Sequence, residues 1–410
     1  MRKLNAVLAF ILVATLLISG CGGTPELTST PVPPTATAKP AEGATPTKPP
    51  AEPTATEAAE GGTVVIGLQG DPERMISNIW PMASGITILD LLYTSLVRAN
   101  AAQEFVPEAA ERVEFSEDGR TLTFYLRKDL TFHDGEPLTA HDVAFTYNMI
   151  GLPEYNGGHD AYADWIEGVE AARAGETDGI SGIKVIDDYT ISFTTPEPFA
   201  PAINYANVGI LPEHVLGDVP VDELDVHEFN YHPVGSGPYK VTLYEPDRQV
   251  VMEAFDDWFE GRPKVDRIIW RISSYEAMLN AWLNEEIDAV PLSIDDIESV
   301  EAVDFGTTYE YKSSRPTYLG FNCKSVYFSD ERTRRAISYA VDRQEMVDVI
   351  LGGRGDALSV LSPANTWAYA PNIPVIEQDL EKAGALLDEV GWVLCSWARK
   401  DRCKRSVPRR

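Results

Sequence analysis

The amino-acid sequence predicts an α/β fold with enough chain for two lobes. Strand and helix periodicities alternate along it, and about 330 residues remain when the first 60 and the last 16 are set aside, which is enough for two hydrophobic cores. In the run TLTFYLRKDLTF, Leu122, Phe124 and Leu126 alternate with polar residues, which is typical of a half-buried strand. Apolar residues follow Arg334 at helical spacing, and this pattern predicts a helix.

That helix has start and stop signals of its own. Asp330 is placed to act as its N-cap, and the pair Gly352 and Gly353 is placed to end it. The predicted buried face carries Ala336, Ile337, Ala340, Val341, Val347 and Ile350.

The first 60 residues predict export and tethering. Residues 1–20 have a positive start and an apolar run that is short for a bilayer span, which is typical of a signal peptide. The run that ends at Cys21 resembles a bacterial lipobox, so we expect a lipid on Cys21. The alternative is a plain secretory peptide with an incidental cysteine. Residues 21–60 are rich in Thr, Pro and Ala, too poor in apolar residues to fold, and predict a disordered tether.

Composition excludes some classes of function. The formal net charge is −29, whereas a nucleic-acid surface needs clustered Lys and Arg. The acidic balance is consistent with a cationic solute or with a solvated acidic exterior. Four cysteines fit no disulfide framework, and Cys323 is predicted as a buried small residue, with a reactive thiol as the alternative.

Several loops have recognisable local chemistry. Residues 63–68 predict a strand that ends in a turn at 70–72, and residues 88–97 predict a helix. Residues 133–135 predict a turn, and Thr139 with Asp142 predicts a capped helix start. A metal site that uses His133 and His141 is the alternative. In VGSGPYKV the glycines predict a tight, strained backbone that leads into a strand, not a phosphate cradle.

Six motifs together resemble one protein family. They read FHDGEPLTAHDV, VGSGPY, FDDWFEGRPKVDRIIW, LNEEIDAV, YLGFNCKSVYFSDERTRRAISYAVDR and EKAGALLDEVGW. The chain is similar to the extracytoplasmic solute-binding proteins of family 5, which serve peptide-type ABC importers. Glu285 departs from the pattern, because it stands where the family has glycine. The resemblance implies the type II periplasmic-binding-protein architecture, with two lobes joined at a hinge.

The resemblance also implies domain boundaries. Lobe one is expected at 61–271, with a family insert at about 100–192, and an incomplete lobe two at 272–394. Residues 395–410 form a basic tail unlike the family, which we interpret as a frameshift or truncation, with a functional basic tail as the alternative.

The implied function is capture of a solute between the lobes and delivery to an ABC permease and its ATPase. Peptides are the expected solute, although family members also bind nickel complexes, haem, sugars and opines. We expect a monomer, anchored by lipid on the outer face of the cytoplasmic membrane or in the periplasm, without cofactor, metal, catalytic residues or nucleic acid. The candidate solute-binding residues are Leu68, Gln69, Gly70, Asn322, Trp367 and Tyr369.

Two alternatives come from other classes. One is a lipid-anchored sensor or adhesion protein of the same fold that takes no part in transport. The other is a secreted hydrolase with a Glu/Asp pair, which has no motif support in the sequence.

Overall fold

The computed structural model describes residues 61–77, 83–100, 103–311, 316–362, 369–370 and 372–392. The strands are β1 (Thr63–Gln69), β2 (Val97–Ala99), β3 (Phe105–Pro107), β4 (Ala110–Phe115), β5 (Thr121–Leu126), β6 (Ile183–Asp187), β7 (Thr190–Thr194), β8 (Tyr239–Glu245), β9 (Gln249–Ala254) and β10 (Arg267–Ser273). The α-helices are α1 (Ala83–Leu92), α2 (Ala140–Ile150), α3 (Val169–Arg173), α4 (Glu213–Leu216), α5 (Tyr275–Leu283), α6 (Ile297–Glu301), α7 (Glu331–Ala340), α8 (Arg343–Ile350) and α9 (Leu380–Glu389).

Short 3₁₀ turns complete the described elements. They lie at Asp160–Tyr162, Ala200–Tyr205, Leu224–Val226, Glu228–Asn230 and Ile294–Asp296. Within the described ranges, every helix is too short or too polar to cross a membrane.

The first sheet has the strand order β1-β10-β9-β8. The first strand lies parallel to β10, although about 200 residues separate them along the chain, and the other pairs are antiparallel. Its core is fully apolar around Leu92, Val250 and Met252, which have no exposed surface. This sheet therefore positions the end of β1 against a rigid support.

The second sheet is antiparallel, with the order β4-β5-β7-β6, and helix α2 packs against it. Phe124 of β5 and Phe193 of β7 meet edge to face with ring centroids 5.7 Å apart, and Tyr147 of α2 joins them. The predicted capping box is confirmed, since the side chain and the backbone of Thr139 and of Asp142 exchange hydrogen bonds. Local polar chemistry and apolar periodicity agree throughout this sheet.

Helix α1 ends earlier than the sequence predicts. The expected helix at 88–97 stops at Leu92, and Val97 begins β2 instead. The reason is tertiary: the amide groups of Ser236 and Gly237 donate to the Leu92 carbonyl oxygen, at 3.0 and 2.8 Å. A loop distant in sequence thus takes the carbonyl at the end of the helix.

Gly235 and Gly237 of that loop allow close packing of two backbone segments and are not in a strained conformation. Among the described residues with positive φ, neither Gly235 nor Gly237 occurs, so the predicted strained backbone is wrong. A Cβ on Gly235 would overlap the Leu92 carbonyl oxygen, and one on Gly237 would overlap that of Leu91. Only glycine lets these two backbones pack directly on each other.

The turn after α5 contains the non-glycine residue Glu285. Its φ is 60°, a left-handed conformation, and its amide group donates to the Trp282 carbonyl at 2.9 Å. The turn geometry of a glycine is therefore kept by a glutamate, at an expected cost of about 1 kcal/mol.

The predicted long helix after Asp330 is two helices. Asp330 caps α7 as expected, but Val341 is extended and the Asp342 side chain accepts the Glu345 amide as a second N-cap. Gly353 ends α8 as predicted, since its amide group donates to the Val347 carbonyl at 3.0 Å. The side chain of Asp342 competes with helix continuation and breaks the pattern.

The predicted strand that ends at Asn322 does not form. The described residues 316–322 contain no strand, because no neighbouring strand in the described part offers them a ladder. The Asn322 side chain instead accepts the Lys324 amide at 3.0 Å in a turn. Cys323 is exposed, so its predicted burial is wrong as well.

Candidate functional site

The carboxyl ends of β1 and β10 meet at one edge of the first sheet. Gln69 lies opposite Ser273, at the last position of each strand. In open α/β sheets, ligands bind outside the carboxyl ends of the strands. Of the predicted binding residues here, Leu68 is buried in the core while Gln69 and Gly70 are exposed. The candidate site is therefore the exposed part of this edge.

The backbone of Gln69 is open on the side away from β10. On that side, the Gly67 amide donates to the Ala289 carbonyl at 2.9 Å, and the Val65 carbonyl accepts the Asp288 amide at 2.8 Å. Strand alternation turns the N–H and C=O of Gln69 to the same side. Within the described chain, the covering segment makes its last bond at Gly67, which leaves the Gln69 backbone groups without a protein partner there.

The turn after β1 is held by one carboxylate. Asp71 accepts the amide groups of Glu73 at 2.7 Å and of Asp247 at 2.5 Å, and also the hydroxyl of Tyr244. Burial, together with the bond to Asp71, raises the pKa of Tyr244 above its usual value. Asp71 is thus committed to fixing the strand end against the β8–β9 hairpin rather than to a ligand.

Two serines complete this edge, and sequence reasoning missed both. Ser273 ends β10, and Ser274 caps α5 by accepting the Ala277 amide at 3.3 Å. A serine between an apolar strand and an apolar helix is a local N-cap signal. The position of Ser273 beside Gln69 depends on the parallel pairing of β1 and β10, which no local pattern reveals.

The remaining binding-site candidates lie elsewhere. Tyr369 lines a cavity of about 630 Å³ together with Asp342 and Arg343. The Arg343 guanidinium donates to the carbonyls of Ser338 at 2.8 Å and Ile376 at 3.3 Å, which ties α8 to the segment before α9.

Asn322 is exposed beside its turn. In the described ranges, no hydrogen bond or ring contact joins Asn322 or Tyr369 to the end of β1. Trp367, the lipidation candidate Cys21 and the basic tail lie outside the described residues.

Both ring nitrogens of His133 form hydrogen bonds within the protein. Its Nδ1 accepts the Gly235 amide at 3.3 Å, and its Nε2 lies 2.9 Å from the Gly237 carbonyl, to which it donates. Burial lowers the pKa of His133 to about 4, so the ring stays neutral at physiological pH. The described residues hold no group of three metal-ligating side chains.

Comparison with known proteins decides the family. Residues 104–396 match the sequence model of bacterial extracellular solute-binding proteins, family 5 Middle. The chain belongs to this family. The name of the family describes binders of solutes, in agreement with the function class that the motifs imply.

Two relatives show the extent of the likeness. The oligopeptide-binding protein AppA of Bacillus subtilis strain 168 is 26% identical over 401 residues, which span 94% of this chain and 66% of that protein. The dipeptide-binding protein of Escherichia coli K12 is 26% identical over 356 residues, 82% of this chain and 65% of that protein. The chain spans slightly less than two thirds of the length of these relatives.

Solved structures confirm the fold class. AppA from Bacillus subtilis in complex with a nonapeptide has a TM-score of 0.69 and 26% identity, over 83% of this chain and 66% of that one. The ABC transporter substrate-binding protein CtaP from Listeria monocytogenes has a TM-score of 0.71 and 30% identity, over 82% and 66%. The fold is that of a type II periplasmic-binding protein, as the sequence predicts.

Proposed function

We propose that this protein captures an extended peptide at the carboxyl end of β1 and delivers it to an ABC importer. Residues 61–271 would form lobe one, including the insert at 100–192, and residues 272–394 would contribute to lobe two. The observation that carries the proposal is the open backbone of Gln69 beside the end of β10. The relatives named as oligopeptide- and dipeptide-binding proteins support the same solute class.

The chemistry suits a peptide main chain. An extended peptide that lies along this side of β1 would continue the row of bonds that Val65 and Gly67 make to residues 288 and 289. Main-chain pairing is indifferent to side-chain identity, so the site would accept many peptide sequences. Closure of the second lobe over the peptide would add contacts that the open form lacks, and those contacts would drive the change of shape.

The binding mode is tested by amide hydrogen exchange with tetra-alanine as the probe. We expect millimolar tetra-alanine to slow exchange at the Gln69 amide. A tetra-alanine with N-methylated peptide bonds should not do so, because it lacks the donors. The variant Gln69→Pro should abolish tetra-alanine binding in isothermal titration calorimetry, since it removes the N–H on the open side while the ladder to β10 stays intact.

The matched control is Gln69→Ala, which keeps the backbone N–H and should bind like the wild type. Equal protection by the N-methylated peptide would contradict strand addition. Protection confined to other parts of the chain would move the site away from β1.

We further propose that Cys21 carries a lipid and that residues 21–60 tether the receptor near its permease. The run before Cys21 supports this, because a cysteine stands at the expected cleavage position of an export signal. In a bacterial host, metabolic labelling with radioactive palmitate should mark the wild type but not Cys21→Ser. Labelling of Cys21→Ser would refute lipidation at Cys21 and would leave the peptide proposal unaffected.

A further inference from the structure

A cavity of about 430 Å³ lies in the insert region, apart from the end of β1. Its walls come from the segment before α3 and from the turn that follows β7. The lining residues are Ala161, Asp164, Trp165, Thr195, Pro196, Glu197, Phe199 and Tyr205. At about 30 Å³ per water molecule, the space equals that of about fourteen waters, enough for a small organic molecule.

Three aromatic rings form the apolar walls. The Trp165 indole N–H donates to the Tyr162 carbonyl at 2.8 Å, so the ring has no polar group left for the cavity. Phe199 and Tyr205 stack on each other, with centroids 6.2 Å apart and planes 21° from parallel. Aromatic faces carry negative charge density, which attracts cations and repels anions.

Some polar groups of the cavity lining already have hydrogen-bond or ion-pair partners, and others have none within the described chain. Asp164 is paired with the guanidinium of Arg173 at 2.5 Å, and the same guanidinium lies 3.6 Å from the Asp160 carboxylate, so Asp164 already has a cationic partner that it shares. The Thr195 hydroxyl lies 2.5 Å from the Glu197 carbonyl oxygen and fixes the turn. In the part of the chain that the structure describes, the Glu197 carboxylate makes no hydrogen bond or ion pair.

The guanidinium of Arg120, which contacts the same turn, is paired with other groups. Arg120 donates to the Thr195 carbonyl at 3.0 Å and to the Glu167 carboxylate at 2.9 Å. Glu197 is exposed, so its carboxylate is a solvated negative charge beside the aromatic lining, with no counter-charge among the described residues. An anionic ligand would meet repulsion here, a neutral ligand would leave the carboxylate to water, and a cation would gain a charge partner.

We propose that this cavity binds a small alkylammonium cation. The cation would lie against Trp165, Phe199 and Tyr205, with its charge facing the Glu197 carboxylate. Aromatic rings with one nearby carboxylate suit a quaternary ammonium group, because such a group is weakly hydrated and has no N–H to satisfy. The cavity shares no residue with the proposed peptide site, so either proposal can fail alone.

The test uses choline chloride against 3,3-dimethylbutan-1-ol, its neutral isostere, in isothermal titration calorimetry at constant ionic strength. The wild type should bind choline saturably and at least about tenfold more tightly than the alcohol. The variant Glu197→Gln should weaken choline binding about tenfold, whereas the matched exposed variant Glu176→Gln should leave it unchanged. Phe199→Leu should weaken it too, since it removes one aromatic wall.

Site assignment comes from the indole N–H signal of Trp165 in nitrogen-15 NMR, which should shift with choline. Equal affinity for choline and the alcohol would overturn the proposal, as would choline binding that Glu197→Gln does not weaken. Absence of saturation at tens of millimolar choline in a folded wild type would also overturn it. Tetra-alanine should not displace choline, which separates this site from the peptide site.

Discussion

Substitution of Gly235 by alanine should destabilise the protein more than any change of similar size in a surface turn. The added Cβ would overlap the Leu92 carbonyl oxygen, so the loop must move away from the end of α1. That movement breaks the bonds from Ser236 and Gly237 to Leu92, at 3.0 and 2.8 Å. It also breaks the two bonds between His133 and Gly235, at 2.8 and 3.3 Å.

The magnitude follows from those four bonds. At about 1 kcal/mol each the loss is about 4 kcal/mol, and the lower chain entropy of alanine in the unfolded state returns about 1 kcal/mol. The net loss of about 3 kcal/mol is a large part of the 5–15 kcal/mol by which domains are typically stable. We therefore expect Gly235→Ala to lower the free energy of unfolding by about 3 kcal/mol.

Urea unfolding, followed by circular dichroism at pH 7.5, measures the change. Gly135→Ala is the control, because its Cβ would meet nothing within 4 Å and only its φ of 95° is unfavourable. The control should lose about 1–2 kcal/mol. A Gly235→Ala variant that is no less stable than Gly135→Ala would refute the close-approach argument. Amide exchange at Ser236 and Gly237 should accelerate in the first variant only.

Three further predictions concern local strain and buried titration. Glu285→Gly should raise the free energy of unfolding by about 1 kcal/mol in urea titrations, because φ is 60° there, while Glu286→Gly should not raise it. The pKa of His133 is lowered to about 4 in the folded state, so the unfolded state binds more protons between pH 6.5 and 4. Stability should therefore decrease as the pH is lowered through that window. From pH 7.5 down to pH 5, the wild type should lose about 2 kcal/mol more than His133→Gln. Burial raises the pKa of Glu108 to about 7, so the folded state binds more protons between pH 4.5 and 7, and stability should fall as pH rises there. Glu108→Gln should remove on the order of 2 kcal/mol of that fall, and an unchanged difference between the two proteins across this window would contradict the assignment.

Local features were predictable because their causes lie within a few residues. The capping box of Thr139 and Asp142, the N-cap Asp330 and the alternating strand β5 all formed as the sequence predicts. Each depends on the spacing of a side chain and a nearby backbone group or on apolar periodicity. The predictions that failed depended instead on contacts between segments that are distant along the chain. Helix α1 stops at Leu92 because of contacts with a loop about 140 residues away.

The residues of the candidate site also separate into those that local sequence predicts and those that it does not. The apolar run and the glycine turn predict a strand end at Leu68 to Gly70, and the structure has it. The expected strand at Asn322 did not form, because a strand also needs a neighbour to complete its ladder. Trp367 stays a prediction, since it lies outside the described residues.

By itself, the sequence determined the family, the α/β class and the local starts and stops of many elements, since those depend on motifs and near neighbours. Only the tertiary structure decided that Ser273 stands beside Gln69 and that, within the described residues, the Gln69 backbone has no partner on one side and Glu197 has no counter-charge. These facts depend on which distant segments pair and which do not. Pairing across 200 residues is governed by the packing of the whole sheet, and no short stretch of sequence encodes it.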